Sequence, residues 1–217
     1  MHSPSIPVRP SATSDRGALV ARGRRLEYLT IAWNGFEAAV ALIAGLAAGS
    51  VALVGFGMDS VIETGSALIL LWRLRSDGDA AQREQAERVA RRLVGTCFLL
   101  LAAYVTLESA YALWTREHAE RSIAGILIAI AAVVVMPLIG RAKRRVAVEL
   151  GSGALHSDSR QADFCAYLSA ILLVGLLLNT LLGWWWADPV AALVMVPIIA
   201  REGVQGVRGE ACDDCGH

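Results

Sequence analysis

The sequence predicts an all-α membrane protein built as a bundle of six membrane-spanning helices. Three observations carry that reading. The chain has 217 residues, 55% of them hydrophobic and only 18% charged, with a mean hydropathy of +0.50, too apolar for an ordinary soluble domain. Its apolar residues fall in blocks, roughly 28–48, 51–73, 93–114, 122–140, 157–182 and 184–200, each near the ~20 residues a helix needs to cross hydrocarbon. Finally, the basic residues gather between alternate blocks, the pattern that orients spans in a bilayer.

Residues 1–27 hold Pro4, Pro7, Pro10, several serines and five arginines, with no apolar core leading to a cleavage site. They read as a flexible cytoplasmic tail and not as a signal peptide. Spans one and two are separated only by Ala48-Gly49-Ser50, so they form a tight hairpin. Residues 76–92 are charged and helix-friendly, a connecting loop or helical extension outside the hydrocarbon. Arg141, Lys143, Arg144 and Arg145 follow span four and read as a solvated basic loop. Gly183-Trp184 makes a second tight hairpin between spans five and six, with Trp184, Trp185 and Trp186 at the membrane interface. Cys97, in an apolar stretch, reads as a small core residue.

Orientation follows from Lys and Arg, which are held on the cytoplasmic side of short flanking segments. Seventeen fall on one side, counting the N-terminal tail, the connections after spans two and four, and the C-terminal tail; Arg116 and Arg121 fall on the other. Arg160 lies inside or at the edge of span five. Both termini are therefore expected in the cytoplasm. Net charge is zero, so no nucleic acid partner is implied.

The second span carries two acids, Asp59 and Glu63. Four residues at about 100° each leave them about 40° apart around the helix axis, so both project the same way and can share one cation. An ionised acid near the middle of a membrane helix costs about 2.5–3.5 kcal/mol even on a lenient insertion scale. A chain that keeps two together uses them. Glu37 with Asn34 in span one, and Glu108 in span three, read as cavity-lining or helix-to-helix bonding groups and not as ligands. Asp188, before Pro189 at the start of span six, reads as a helix cap, and Asn179 as a packing amide. Gly35, Gly45, Gly57 and Gly65 read as close-packing positions.

Ser50-Val51-Ala52-Leu53 leading to Asp59-x3-Glu63, Leu107-Glu108-Ser109, and Ala187-Asp188-Pro189-Val190-Ala191-Ala192-Leu193 resemble the cation diffusion facilitator (cation efflux) family over roughly residues 25–204. The resemblance implies a six-helix bundle of that family's type over 28–204. It also implies divalent-cation/proton antiport that exports zinc, cobalt, cadmium, iron or manganese from the cytoplasm across the plasma (inner) membrane, commonly as a homodimer. Metal would sit between spans two and five, and the family's acid or His/Asp pair falls on Asp59 and Glu63. The residues after span six, 205–217, read as a short cytoplasmic Cys/His tail without the family's C-terminal metal-sensing domain.

Span five departs from the pattern, because no His-x3-Asp appears there. Aligning the resemblance without gaps from Gly151-Ser152-Gly153-Ala154-Leu155 places Gln161 and Cys165 on the two ligand positions and Asp158 on an acid that often precedes them. Spacings of three and seven put Asp158, Gln161 and Cys165 on one helix face. A second face holds His156 and Asp163, also seven apart, with Arg160 between them; a local Arg160–Asp163 salt bridge is the plainer reading of that face. In the tail, Cys212, Cys215 and His217 have a spacing able to clamp Zn²⁺, against the alternative of a disordered tail.

Two carboxylates, a thiolate and a further carboxylate or amide make a mixed hard and soft shell, which tilts toward Zn²⁺, Cd²⁺ or Co²⁺ and away from Mg²⁺ or Ca²⁺. Such ligands bind metal only after losing their protons, so protons and metal compete for one pocket. No resident cofactor is implied beyond the transported divalent ion, with Zn²⁺ foremost. Two function classes follow: a secondary transporter exporting divalent metal, or a non-transporting membrane metal-binding or regulatory subunit on the same scaffold, which the altered span five keeps open. An enzyme is not expected, since no Ser/His/Asp set, phosphate loop or His-Glu-x2-His motif is present.

Overall fold

A computed structural model of the chain describes residues 11–75, 80–150 and 153–208. They form six helices: α1 (Ser11–Ala48), α2 (Val51–Arg75), α3 (Ala80–Thr115), α4 (Ile123–Leu150), α5 (Gly153–Leu182) and α6 (Ala187–Arg208). Each is long and apolar enough to cross a membrane, and the chain is an integral membrane protein. Helix α2 is the hub. It touches α1, α3, α5 and α6, while α1 also packs on α4, α3 on α6, and α4 on α5.

The helices run further than the apolar blocks. Residues 11–27, expected as part of a flexible tail, are the opening turns of α1, with Glu27 buried. Residues 80–92 extend α3. Arg141–Arg145, expected as a solvated loop, lie within α4, where Lys143 is 1% exposed. Cys97 faces outward and is not a core residue. Outward faces of the bundle carry Leu46, Leu107, Trp114, Leu127 and Leu181, an apolar surface matched to lipid.

The α1–α2 hairpin is closed by two residues. Gly49 takes φ 62°, a left-handed conformation that costs glycine little, and the Ser50 N–H donates to the Gly45 carbonyl, the bond that seals a helix C-terminus. Ser50 then caps α2, its Oγ accepting from the Leu53 N–H at 3.1 Å. Below the turn the two helices lie so close that a Cβ on Gly45 or Gly57 would sit 2.9 Å from Val54 or Leu42, whereas Gly35 and Gly65 face open space. Asp188 caps a helix, but not its own. Its carboxylate accepts from Ser50 Oγ and, at 3.4 Å, from the Ala52 N–H, so α6 secures the N-terminus of α2. Asn179 donates to the Ala119 carbonyl at 2.9 Å, and Trp184 stacks on Trp186 beside the α5–α6 turn.

Candidate metal centre

Three helices converge on a buried polar cluster. Asp59 and Glu63 project from α2 as their four-residue spacing requires, and Cys165 faces them from α5. Their ligand atoms all lie within 4.8 Å of one another, and all three residues are buried. Asp59 Oδ2 is buried with no hydrogen-bond partner. An unpartnered buried carboxylate oxygen is costly, and a cation bound between the acids and the thiol would satisfy it. The donor set is two hard oxygens and one soft sulfur, which suits Zn²⁺, Cd²⁺ or Co²⁺ better than Mg²⁺ or Ca²⁺.

Helix α1 surrounds this cluster with donors and acceptors. Asn34 Nδ2 donates to Glu63 Oε2 at 2.9 Å. Glu37 is fully buried; its Oε2 accepts from Trp33 Nε1 at 2.7 Å, and its Oε1 accepts from Ser60 Oγ at 2.7 Å and from Cys165 Sγ at 3.6 Å. Both residues bond across to neighbouring helices, one of the roles their sequence context allowed. The nearness of Glu37 to Cys165 was hidden, because it depends on how α1, α2 and α5 pack together.

The other span-five candidates lie elsewhere. Asp158, two turns before Cys165, pairs with the Lys143 ammonium of α4, which also meets Glu27 Oε2 of α1 at 3.2 Å. The residue expected as a ligand is thus held in a Glu27–Lys143–Asp158 triad, and Glu27 Oε1 is left without a partner. Gln161 is half-buried one turn before Cys165, and among the described residues it makes no hydrogen bond to the two acids. The expected Arg160–Asp163 pair does not form: Asp163 pairs with Arg144 of α4 at 2.5 Å, and Arg160 interacts electrostatically with Glu202 of α6. His156 is half-buried, its carbonyl accepting from Ser159 Oγ. Cys212, Cys215 and His217 lie outside the described residues. Glu108 lines a cavity of about 160 Å³ with Tyr104, Ser50 and Asp188 at the opposite end of the bundle from the triad.

Two acids and a thiol thus lie buried together at the centre of a bundle of six membrane-length helices. The chain belongs to the cation efflux family, whose transmembrane-domain profile matches residues 28–208. It is 26% identical over 151 residues to an uncharacterized transporter of Synechocystis sp., sll1263, covering 67% of this chain and 49% of that protein. It is 22% identical over 169 residues to the cation-efflux pump FieF of Shewanella oneidensis, covering 75% of this chain and 57% of that one. The chain spans about half the length of these curated relatives.

Proposed function

We propose that this chain exports divalent metal cations from the cytoplasm in exchange for protons, with Asp59, Glu63 and Cys165 as the resting place of the ion. The supporting observation is the cluster itself: two carboxylates and a thiol in mutual contact range, buried, on two helices of a family whose profile describes cation efflux. The family relative named as a cation-efflux pump agrees with this reading. Zinc is the foremost substrate, with cobalt and cadmium next, and iron or manganese less suited to a thiolate site.

Coupling follows from the ligands. Each acid or thiol must release its proton before it binds metal, so loading discharges protons and unloading recovers them. If the pocket opens alternately to the two faces, an inward proton gradient drives the metal out. The basic end of the bundle, where α4 and α5 meet, faces the cytoplasm of a plasma-membrane protein, with both chain termini on that side. Asp158 belongs to the approach from that end and not to the resting site, because Lys143 already neutralises it; Gln161 lies between the two. A homodimer is the expected assembly.

Reconstituted proteoliposomes test the reading. Zn²⁺ or Co²⁺ flux should follow an imposed pH gradient and vanish in Asp59→Ala. Flux indifferent to the gradient would refute coupling, and flux indifferent to Asp59→Ala would refute the site. Binding without any flux would favour a non-transporting subunit.

A further inference from the structure

The cluster offers three protein ligands, and a tetrahedral ion takes four. Glu37 of α1 borders it on the sulfur side, with Oε1 at 3.6 Å from Cys165 Sγ. A tetrahedral shell with Zn–S about 2.3 Å and Zn–O about 2.0–2.1 Å separates a sulfur from an oxygen ligand by about 3.5–3.6 Å along its edge. The structure holds Glu37 and Cys165 at that edge length, while Glu37 stands outside the 4.8 Å span that joins Asp59, Glu63 and Cys165, so coordination would draw its carboxylate inward toward the two acids. At present a thiol hydrogen fills the contact, and coordination of the sulfur removes it. Sulfur and oxygen, both then anionic, remain stable at this separation only with a cation between them.

The surroundings of Glu37 support the same role. Asp59, Glu63, Cys165 and Glu37 are all buried, so no bulk water lies beside the sulfur to take the fourth position. Trp33 holds Glu37 Oε2 from within α1, and Ser60 holds Oε1 from α2, one residue after Asp59. Oε1 is thus kept on the side of the cluster by two neutral donors, with no basic group among its hydrogen-bond partners. Asn34, one turn earlier on α1, steadies Glu63 in parallel.

We propose that Glu37 is the fourth ligand of the transported ion, so that the loaded shell is Glu37, Asp59, Glu63 and Cys165, drawn from three helices. This rests on the reading of the Asp59–Glu63–Cys165 cluster as the ion site. Loading then ties α1 to α2 and α5 through the ion, in addition to the packing and hydrogen bonds that already join α1 to α2.

Cobalt spectroscopy on the purified full chain in detergent separates the two readings. Wild type should bind Co²⁺ with a sulfur-to-cobalt charge-transfer band and the intense d–d bands of a tetrahedral ion, and Cys165→Ser should remove the charge-transfer band. If wild type lacks that band, the cluster is not the ion site and both readings fail. Glu37→Gln should keep the charge-transfer band, change the d–d envelope and weaken Co²⁺ binding by more than the ~10–100-fold typical of losing an outer-shell partner. An unchanged envelope, whatever the affinity, would overturn Glu37 as a ligand while leaving the cluster standing. Should Glu37→Gln not fold, deuterium spin-echo spectra of Co²⁺ bound to wild type in heavy water decide instead. Four protein ligands leave no exchangeable water on the ion, and a coordinated water would overturn the assignment.

Discussion

Lys143→Met should destabilise the protein by about 3–5 kcal/mol, the cost of leaving buried charge uncompensated. The neighbouring Arg144→Ala should cost no more than about 1 kcal/mol, as for an exposed pair. The contrast comes from the structure. Both residues lie on α4 and both pair with carboxylates of α5, yet the Lys143 side chain is 1% exposed and its partner Asp158 15%, while Arg144 and Asp163 are 41% and 38% exposed. Methionine matches lysine in length, so packing is largely kept. What is lost is the ammonium shared by Glu27 and Asp158, whose carboxylates then face each other without a cation. Equilibrium unfolding in mixed micelles, followed by far-ultraviolet circular dichroism, measures both variants on one scale. A triple variant, Lys143→Met with Glu27→Gln and Asp158→Asn, should recover most of the loss, because removing all three charges also removes the desolvation penalty. Were Lys143→Met no worse than Arg144→Ala, the triad would not be a buried ion network and the packing of α1 on α4 would need another explanation.

Further expectations concern other parts of the molecule. Cys165→Ser should preserve the cluster's shape but shift preference away from Cd²⁺ toward harder ions, read from a competition panel of Zn²⁺, Cd²⁺ and Mn²⁺; an unchanged ranking would mean the sulfur is not a ligand. Metal affinity should rise with pH, since every coordinating group must first lose its proton, and isothermal titration in two buffers should detect proton release on binding. Asp188→Asn should cost about 1–2 kcal/mol through the weakened cap on α2, and Ser50→Ala should be partly non-additive with it because the two groups share one bond. Gly95→Ala should cost about 1–3 kcal/mol by overpacking, since its Cβ would lie 2.6 Å from the Val207 backbone nitrogen.

The helices and the order of the fold were legible because hydrocarbon imposes a length on every span. Their ends were not. Hydropathy charges each ionic residue separately, so the apolar reading stopped before Glu27 and short of Lys143, whereas the folded chain carries both into the bundle by pairing them across 116 residues. The same non-local pairing explains Asp158. Its spacing to Cys165 put it on the right face of α5, but nothing within α5 indicates that a lysine 15 residues earlier would reach it. Asp59 and Glu63 were readable from four-residue periodicity alone, because both lie on one helix. Glu37 stood out only as an acid in an apolar span, and its nearness to Cys165 became visible once α1, α2 and α5 were packed together. Asp188 shows the limit from another side: a helix-start acid was recognisable, but the backbone N–H it accepts from, that of Ala52 in α2, lies 136 residues away.

Helices α3 and α6 meet backbone to backbone, with Gly95 and Gly203 so close that a methyl group on either would strike the other chain segment. No side-chain layer lies between them at that crossing to act as a bearing. Sliding of one helix on the other is blocked at that crossing, so the alternating access proposed above would have to be accommodated along the seams with α1, α2, α4 and α5.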